Sequence, residues 1–326
     1  MSYSVSLDSF VHLEEKWWEL LTGSVNNHIF LTPQWQTAWW QVFGNGHTLF
    51  LLVVHKDSEL MAIAPMMLQN ERLSFIGSSD VCDYMDFIVR QGQEDSVFTR
   101  LLDYLEAVAW KTINLECLLP SSPVLTHLAP LAKQRGYHVQ ITQMDTSPRV
   151  SLPPSWEEYL ALLKAKDRHE LRRKLRRLER AKATSSYAIT KKDKLPHEME
   201  SFFELFKMSD FEKTRFMTDQ KRAFFETMVS SLAEEGYVRL SFLEVGGVRA
   251  SSSLCFDYGN EVYLYNSAYD PTYAPLSVSL LLKVFCLREA IAQGKKCFDF
   301  LRGNESYKYD LGGQDVPVYN CIISRA

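Results

Sequence analysis

Apolar positions recur with helical spacing over residues 7–21, where Phe10, Leu13, Trp17, Leu20 and Leu21 share one face. Thr32-Pro33, a capping residue followed by Pro at the first helical position, opens a second helix over 33–43, and Gly44-Asn45-Gly46 closes it. The pattern then changes. Residues 49–54 and 60–67 are apolar runs joined by Lys56-Asp57-Ser58-Glu59, as in a hairpin, and 73–76 and 87–89 read as shorter strands. A helix over 94–110, a strand over 112–118, a helix over 124–135 closed by Gly136 and a strand over 137–144 follow. This half reads as a mixed α/β unit.

Ser147-Pro148 and Leu152-Pro153-Pro154 punctuate the chain, so the expected domains are residues 1–149 and 150–326. Ser155, with Glu158 three positions on, starts a helical pattern that runs to Lys182. Leu171, Leu175 and Leu178 form its apolar face. The other faces carry Lys164, Lys166, Arg168, Arg172, Arg173, Lys174, Arg176, Arg177, Arg180 and Lys182, opposed only by Asp167, Glu170 and Glu179. Such a charge run is often a solvated face. It also suits phosphate contact with RNA, an anionic membrane surface or an acidic substrate. No aromatics interleave it, so base stacking is unsupported.

Helices are expected over 198–209 and 219–234. Strands over 237–245, 248–258 and 261–267 are joined by the tight-hairpin dipeptides Gly246-Gly247 and Gly259-Asn260, giving an antiparallel meander. After Pro271 and Pro275, Ser277 can cap a helix to Gln293, with Leu280, Leu281, Val284, Phe285, Leu287 and Ile291 facing inward. Residues 297–301 return as a strand, which makes a βαβ unit whose strands should be parallel.

Composition bounds the reading. The chain has 326 residues, 46% hydrophobic and 23% charged, enough for a large core, and a net charge of -4 gives no global attraction to nucleic acid. Its six cysteines form no Cys-x-x-Cys pair and read as buried thiols. No segment has the length of a membrane span or the pattern of a signal peptide, so a cytoplasmic protein is expected. No Walker loop, Gly-x-Gly-x-x-Gly, Gly-x-Ser-x-Gly or Cys/His metal spacing is evident, and no metal is expected.

The richest stretch is Phe298-Asp299-Phe300-Leu301-Arg302-Gly303-Asn304-Glu305-Ser306-Tyr307-Lys308. It puts an acid on a buried strand, turn chemistry after it, and an aromatic and a cation just beyond. Asp299 can pair with Arg302 to tie down the loop, or belong to a site at the strand's end. The stretch resembles the signature of the GNAT-fold acyltransferases related to cellulose-biosynthesis acetyltransferases and Fem-type peptidyltransferases. Ala268-Tyr269-Asp270-Pro271-Thr272-Tyr273, Asp83-Tyr84-Met85-Asp86 and the basic stretch from Arg168 to Arg177 add to the likeness.

The resemblance implies a mixed α/β fold of tandem GNAT-like domains, each a mostly antiparallel sheet flanked by helices, the second binding the acyl donor. It implies N-acyl transfer from acetyl-CoA or another acyl-CoA to an amine of a sugar, peptide or cell-envelope precursor. By likeness, Lys308 stabilises the oxyanion or the donor's phosphate; beside it, Asp299 could orient Lys308 or act as base, and Tyr307 could shape the pocket or protonate the leaving thiolate. The donor site would use main-chain N–H groups near Asn266 and Ser267 and the helix start Ser277-Val278-Ser279-Leu280, where amides and dipole favour an anion. Asp83, Tyr84, Arg168, Arg172 and Arg302 are the acceptor-binding candidates. Members of the group commonly have Ser-Pro-Gly where this chain has Ser277-Val278-Ser279, and the added Cβ atoms narrow the approach. Aminoacyl-tRNA as donor, as in Fem-type relatives, and a non-catalytic protein that uses the basic helix stay open as alternatives.

Overall fold

The computed structural model describes residues 2–181 and 183–325. By packing, the chain divides into a first unit of Met1–Asp145 with Pro317–Ala326 and a second of Thr146–Val316. The elements in chain order are β1 (Tyr3–Leu7), α1 (Phe10–Thr22), α2 (Pro33–Phe43), β2 (Thr48–Lys56), β3 (Glu59–Gln69), β4 (Arg72–Phe75), β5 (Ile88–Val89), α3 (Glu94–Glu106), β6 (Thr112–Leu118), α4 (Ala129–Gln134) and β7 (His138–Ser151). There follow α5 (Trp156–Leu162), α6 (Ala165–Glu179), β8 (Thr184–Ile189), α7 (Leu195–Ser209), α8 (Phe211–Phe216), α9 (Asp219–Glu234), β9 (Val238–Val245), β10 (Val248–Tyr258), β11 (Glu261–Tyr269), α10 (Val278–Ala292), β12 (Cys297–Asp299), α11 (Ser306–Asp310) and β13 (Gln314–Ser324).

In the first unit the strand order is β1-β2-β3-β4-β6-β13, with β5 on β3. Most neighbours are antiparallel; β4 and β6 are parallel. Thr32 caps α2 by accepting from the Trp35 amide, as the Thr-Pro pair predicts. The buried face of α1, through Leu13, Trp17, Leu20 and Leu21, packs on Leu51 and Val53 of β2 and Ile63 of β3. The Trp17 indole donates to the Leu31 carbonyl at 2.8 Å, which satisfies its one buried polar atom.

In the second unit the order is β7-β12-β11-β10-β9-β8. The meander of β9, β10 and β11 is antiparallel, and β12 pairs with β11 in parallel, as a crossover through α10 requires. The core lies between this sheet and α10, with Leu281, Val284 and Leu287 against Ala250, Cys255 and Leu264.

Several elements differ from the sequence expectation. The helix expected to run from Ser155 to Lys182 is two helices, α5 and α6, separated where Leu163 and Lys164 take extended backbone. Leu163 turns into the core there, so burial decides against helical continuation. Lys182 lies outside the described residues. The expected strand 297–301 ends at Asp299, because Leu301 takes a left-handed φ of 60°. Tyr307 and Lys308 stand on a short helix, α11, rather than on a loop. On α10, Leu280 and Phe285 are only partly buried, while Leu282 and Lys283 are buried. No described helix is long and apolar enough to cross a membrane.

Candidate functional site

A cavity of about 490 Å³ on the second unit is lined by Ser267 and Tyr269 of β11, Ser277 to Leu280 at the start of α10, Lys283, Lys213 and Tyr307. Its walls follow from two local features. The first is a β-bulge. Leu254 opposes Asn266 while Cys255 opposes Leu264, so Tyr265 is the extra residue on β11. The bulge reverses the alternation. Val262 and Leu264 face the core beneath α10, and beyond the bulge Ser267 and Tyr269 take that side. Tyr265 packs against Phe225 and Phe256 instead. The β11–β12 ladder stops at Tyr263–Asp299, so the stretch of β11 that lines the cavity lies beyond its parallel partner.

The second feature is the start of α10. Ser277 takes left-handed backbone, φ 56° and ψ 36°, and its side chain does not cap the helix. Its hydroxyl accepts from the Arg177 guanidinium of α6 at 2.8 Å. The first-turn amides of Val278, Ser279 and Leu280 have no intrahelical acceptor, so the turn presents N–H groups and the positive end of the dipole to the cavity. Arg177 adds a full cation beside them.

Two cations, Lys213 and Lys283, line the cavity itself. The Lys283 ammonium is held by the Ser279 carbonyl at 3.1 Å and hydroxyl at 2.8 Å, and it lies 4.9 Å from the centre of the Tyr307 ring. Burial pushes Lys283 down to about 7, and the charge of Lys213 adds to the effect. Lys213 on α8 donates to the Ser267 carbonyl, and burial holds it below its ordinary value. Burial, with Glu305 nearby, pushes the Tyr307 hydroxyl well above its usual range, so it stays protonated at neutral pH and can give a proton. Asp210 and Glu305 supply the acids of the lining. Among the described residues no group of three or more His, Cys, Asp or Glu side chains is placed to hold a metal ion.

The structure sorts the predicted site residues. Ser267, Ser277, Val278, Ser279, Leu280 and Tyr307 line the one cavity. Asn266 adjoins it on β11, opposite Leu254. Lys308 is buried, and its ammonium donates to the carbonyls of Leu301, Arg302 and Gly303 at 2.9, 2.7 and 3.2 Å and pairs with Glu305 at 2.9 Å. Asp299 is fully buried. Its carboxylate accepts from the Leu301 amide at 2.8 Å and pairs with Arg149 at 2.9 Å across the β7–β12 ladder. Both residues thus hold the loop that carries Arg302, which is half-buried. Arg168 donates to the carbonyls of Leu160 and Ala161 at 3.3 and 3.4 Å, which satisfies the end of α5, while Arg172 is exposed on α6. Asp83 and Tyr84 belong to the first unit, where Tyr84 is fully buried with its ring 5.6 Å from those of His28 and Phe30.

Sequence reasoning missed Lys213, Lys283 and Arg177 as site residues. One signal was available for Lys283: it is the cation within the apolar run Leu280-Leu281-Leu282-Lys283-Val284.

Residues 165–309 match the family described as Acetyltransferase (GNAT) domain. The second unit therefore carries a GNAT acetyltransferase domain, and the protein is an acyltransferase. Among solved structures, the chain is similar to FemX, at 12% identity over 97% of this chain and 96% of that one, with a TM-score of 0.66. It is similar to L-PGS from Bacillus licheniformis, at 11% identity over 88% and 90% with a TM-score of 0.54. It is also similar to a tandem GNAT protein from the clavulanic acid biosynthesis pathway, at 11% identity over 100% and 99% with a TM-score of 0.52. At these identities the likeness is one of fold. A search of curated proteins finds no match.

Proposed function

We propose that the protein transfers an acyl group from acetyl-CoA or another acyl-CoA to an amine of a sugar, peptide or cell-envelope precursor. The observation that carries this reading is the single cavity wall formed by the end of β11, the first turn of α10 and Tyr307. The pyrophosphate would rest on the amides of Val278, Ser279 and Leu280 beside Arg177. The thioester carbonyl would lie near Asn266 and Ser267, whose main-chain N–H groups receive its developing negative charge. The acceptor nitrogen attacks that carbonyl, the C–S bond breaks, and the Tyr307 hydroxyl protonates the departing sulfur. Lys308 and Asp299 act by fixing residues 301–303, and Arg302 on that loop, with Arg172 on α6, is assigned to the acceptor. The reading places the protein in the cytoplasm, with its acyl-CoA supply.

The test is thermal unfolding with and without acetyl-CoA, for the wild type and Ser279→Trp. Ligand at a hundred times its dissociation constant adds about 2.7 kcal/mol. Stabilisation of the wild type that disappears in the variant supports the reading. No stabilisation at millimolar acetyl-CoA overturns it and turns attention to aminoacyl-tRNA as donor.

A further inference from the structure

We propose that Lys283 is the base that takes the proton from the acceptor ammonium, a role that rests on the acyl-CoA reading above. Lys283 lies on the second turn of α10, one turn beyond the amides of the donor site, and its side chain is 4% exposed. It nevertheless lines the cavity. Its ammonium has two neutral acceptors, both on Ser279, and among the described residues no carboxylate forms an ion pair with it. Buried cations are ordinarily paired.

The charged and titratable groups that act on it are Lys213 on α8, Glu305 before α11, Cys255 on β10 and Cys286 on α10 itself, with the Tyr307 ring of α11 beside its ammonium and Asp210 on the same cavity lining. Lys213 repels a proton on Lys283, while Glu305 pairs with Lys308 and so gives little help in holding one. Desolvation and Lys213 together leave Lys283 titrating near neutrality, with a lone pair available at the pH where an alkylammonium acceptor is still protonated. The two hydrogen bonds to Ser279 fix that amine one helical turn from the pyrophosphate amides and against Tyr307.

The proton inventory closes. The acceptor ammonium gives one proton to the Lys283 nitrogen and becomes a nucleophile. It adds to the thioester carbonyl, whose π pair moves to oxygen. When the tetrahedral species collapses, the C–S bond breaks, Tyr307 protonates the thiolate, and the new amide nitrogen returns a proton to Tyr307. Lys283 then releases its proton to water. The products are the amide, the free thiol and one proton.

The test uses the full chain with 13C at lysine Cε. The Lys283 resonance, identified by its loss in Lys283→Arg, is followed from pH 6 to 11. Binding of acetyl-CoA is measured by calorimetry, and thiol release from it is followed with methylamine, which is cationic at neutral pH, and with hydroxylamine, which is already neutral. A Lys283 midpoint near neutrality, together with a loss of about 100-fold with methylamine in Lys283→Met and Lys283→Gln and a much smaller loss with hydroxylamine, supports the proposal. A midpoint shared with the exposed lysines near 10.4, or equal losses with the two amines, overturns it. Failure of acetyl-CoA to bind the wild type instead removes the donor reading beneath it.

Discussion

Asp299 and Lys308 grip opposite ends of one residue. The Asp299 carboxylate accepts from the Leu301 amide at 2.8 Å, and the Lys308 ammonium donates to the Leu301 carbonyl at 2.9 Å. Between them they hold a non-glycine residue in left-handed backbone, followed by Gly303 at a φ of 111°. A Cβ on Gly303 would lie 2.6 Å from the Glu305 carboxylate and 3.2 Å from the Lys308 nitrogen. The loop is therefore built around these two charged side chains, which serve as its scaffold.

Lys308→Met should cost stability. It leaves the carbonyls of Leu301, Arg302 and Gly303 without their donor, and the loss is expected at about 2–4 kcal/mol. Urea denaturation measures it. Donor affinity, read by calorimetry with acetyl-CoA, should fall less than stability does; an unchanged unfolding midpoint with abolished turnover would instead make Lys308 a direct participant.

Asp299→Asn should cost about 3 kcal/mol, because it strands the partly buried Arg149 guanidinium. Combining it with Arg149→Met should recover part of that loss. A double variant no better than the single would show that the pair contributes little as a pair.

Arg177→Ala removes the cation that donates to Ser277 beside the α10 amides. Acetyl-CoA binding is expected to weaken about tenfold, and the salt dependence of binding should become shallower. Isothermal titration at two ionic strengths reads both effects.

Lys283→Met should stabilise the protein while it impairs turnover. The folded chain holds Lys283 at about 7 against an ordinary 10.5, so folding opposes its charge below 10.5 and does so in full below about 7. The variant's advantage should be a few kcal/mol at pH 6.5 and should shrink toward zero as the pH rises to 10.5. Paired denaturation curves at several pH values test the sign.

Asp86 gives an opposite dependence in the first unit. Burial pushes its carboxyl up from 3.8 to about 7, against the opposing hydrogen bonds from Ser122, Phe87 and Asn26. The folded state then binds the proton more tightly than the unfolded one, so this contribution is full below about pH 4 and is lost as the pH rises to 7. Asp86→Asn should flatten that slope. An unaltered slope would assign the dependence to other groups.

Legibility in the sequence followed the reach of each signal. The meander and the α10 crossover were readable because Gly246-Gly247, Gly259-Asn260 and Gly294 mark their turns and the apolar runs between them are long. β1 was missed because Tyr3–Leu7 is a mostly exposed strand with Ser at alternate positions. β13 was missed because Pro317 interrupts its apolar alternation; in the structure that residue precedes the ladder with β6, which begins at Tyr319. The break between α5 and α6 contains neither Gly nor Pro. The start of α10 could be located at Ser277 after Pro271 and Pro275, although the Ser277 side chain does not cap the helix as its type suggests. Lys213 and Lys283 could not, because their chemistry comes from elements distant in sequence that close over them.

The last strand has a consequence for how the protein is made. Residues 317–326 complete the first unit, pairing β13 with β6, yet they are synthesised after every residue of the second. During translation the second unit can gather its core first, while the first unit waits with the β13 side of β6 unfilled. An arrest of synthesis just before Pro317 would leave the second unit formed and the first without β13, whose absence exposes a strand edge that invites aggregation.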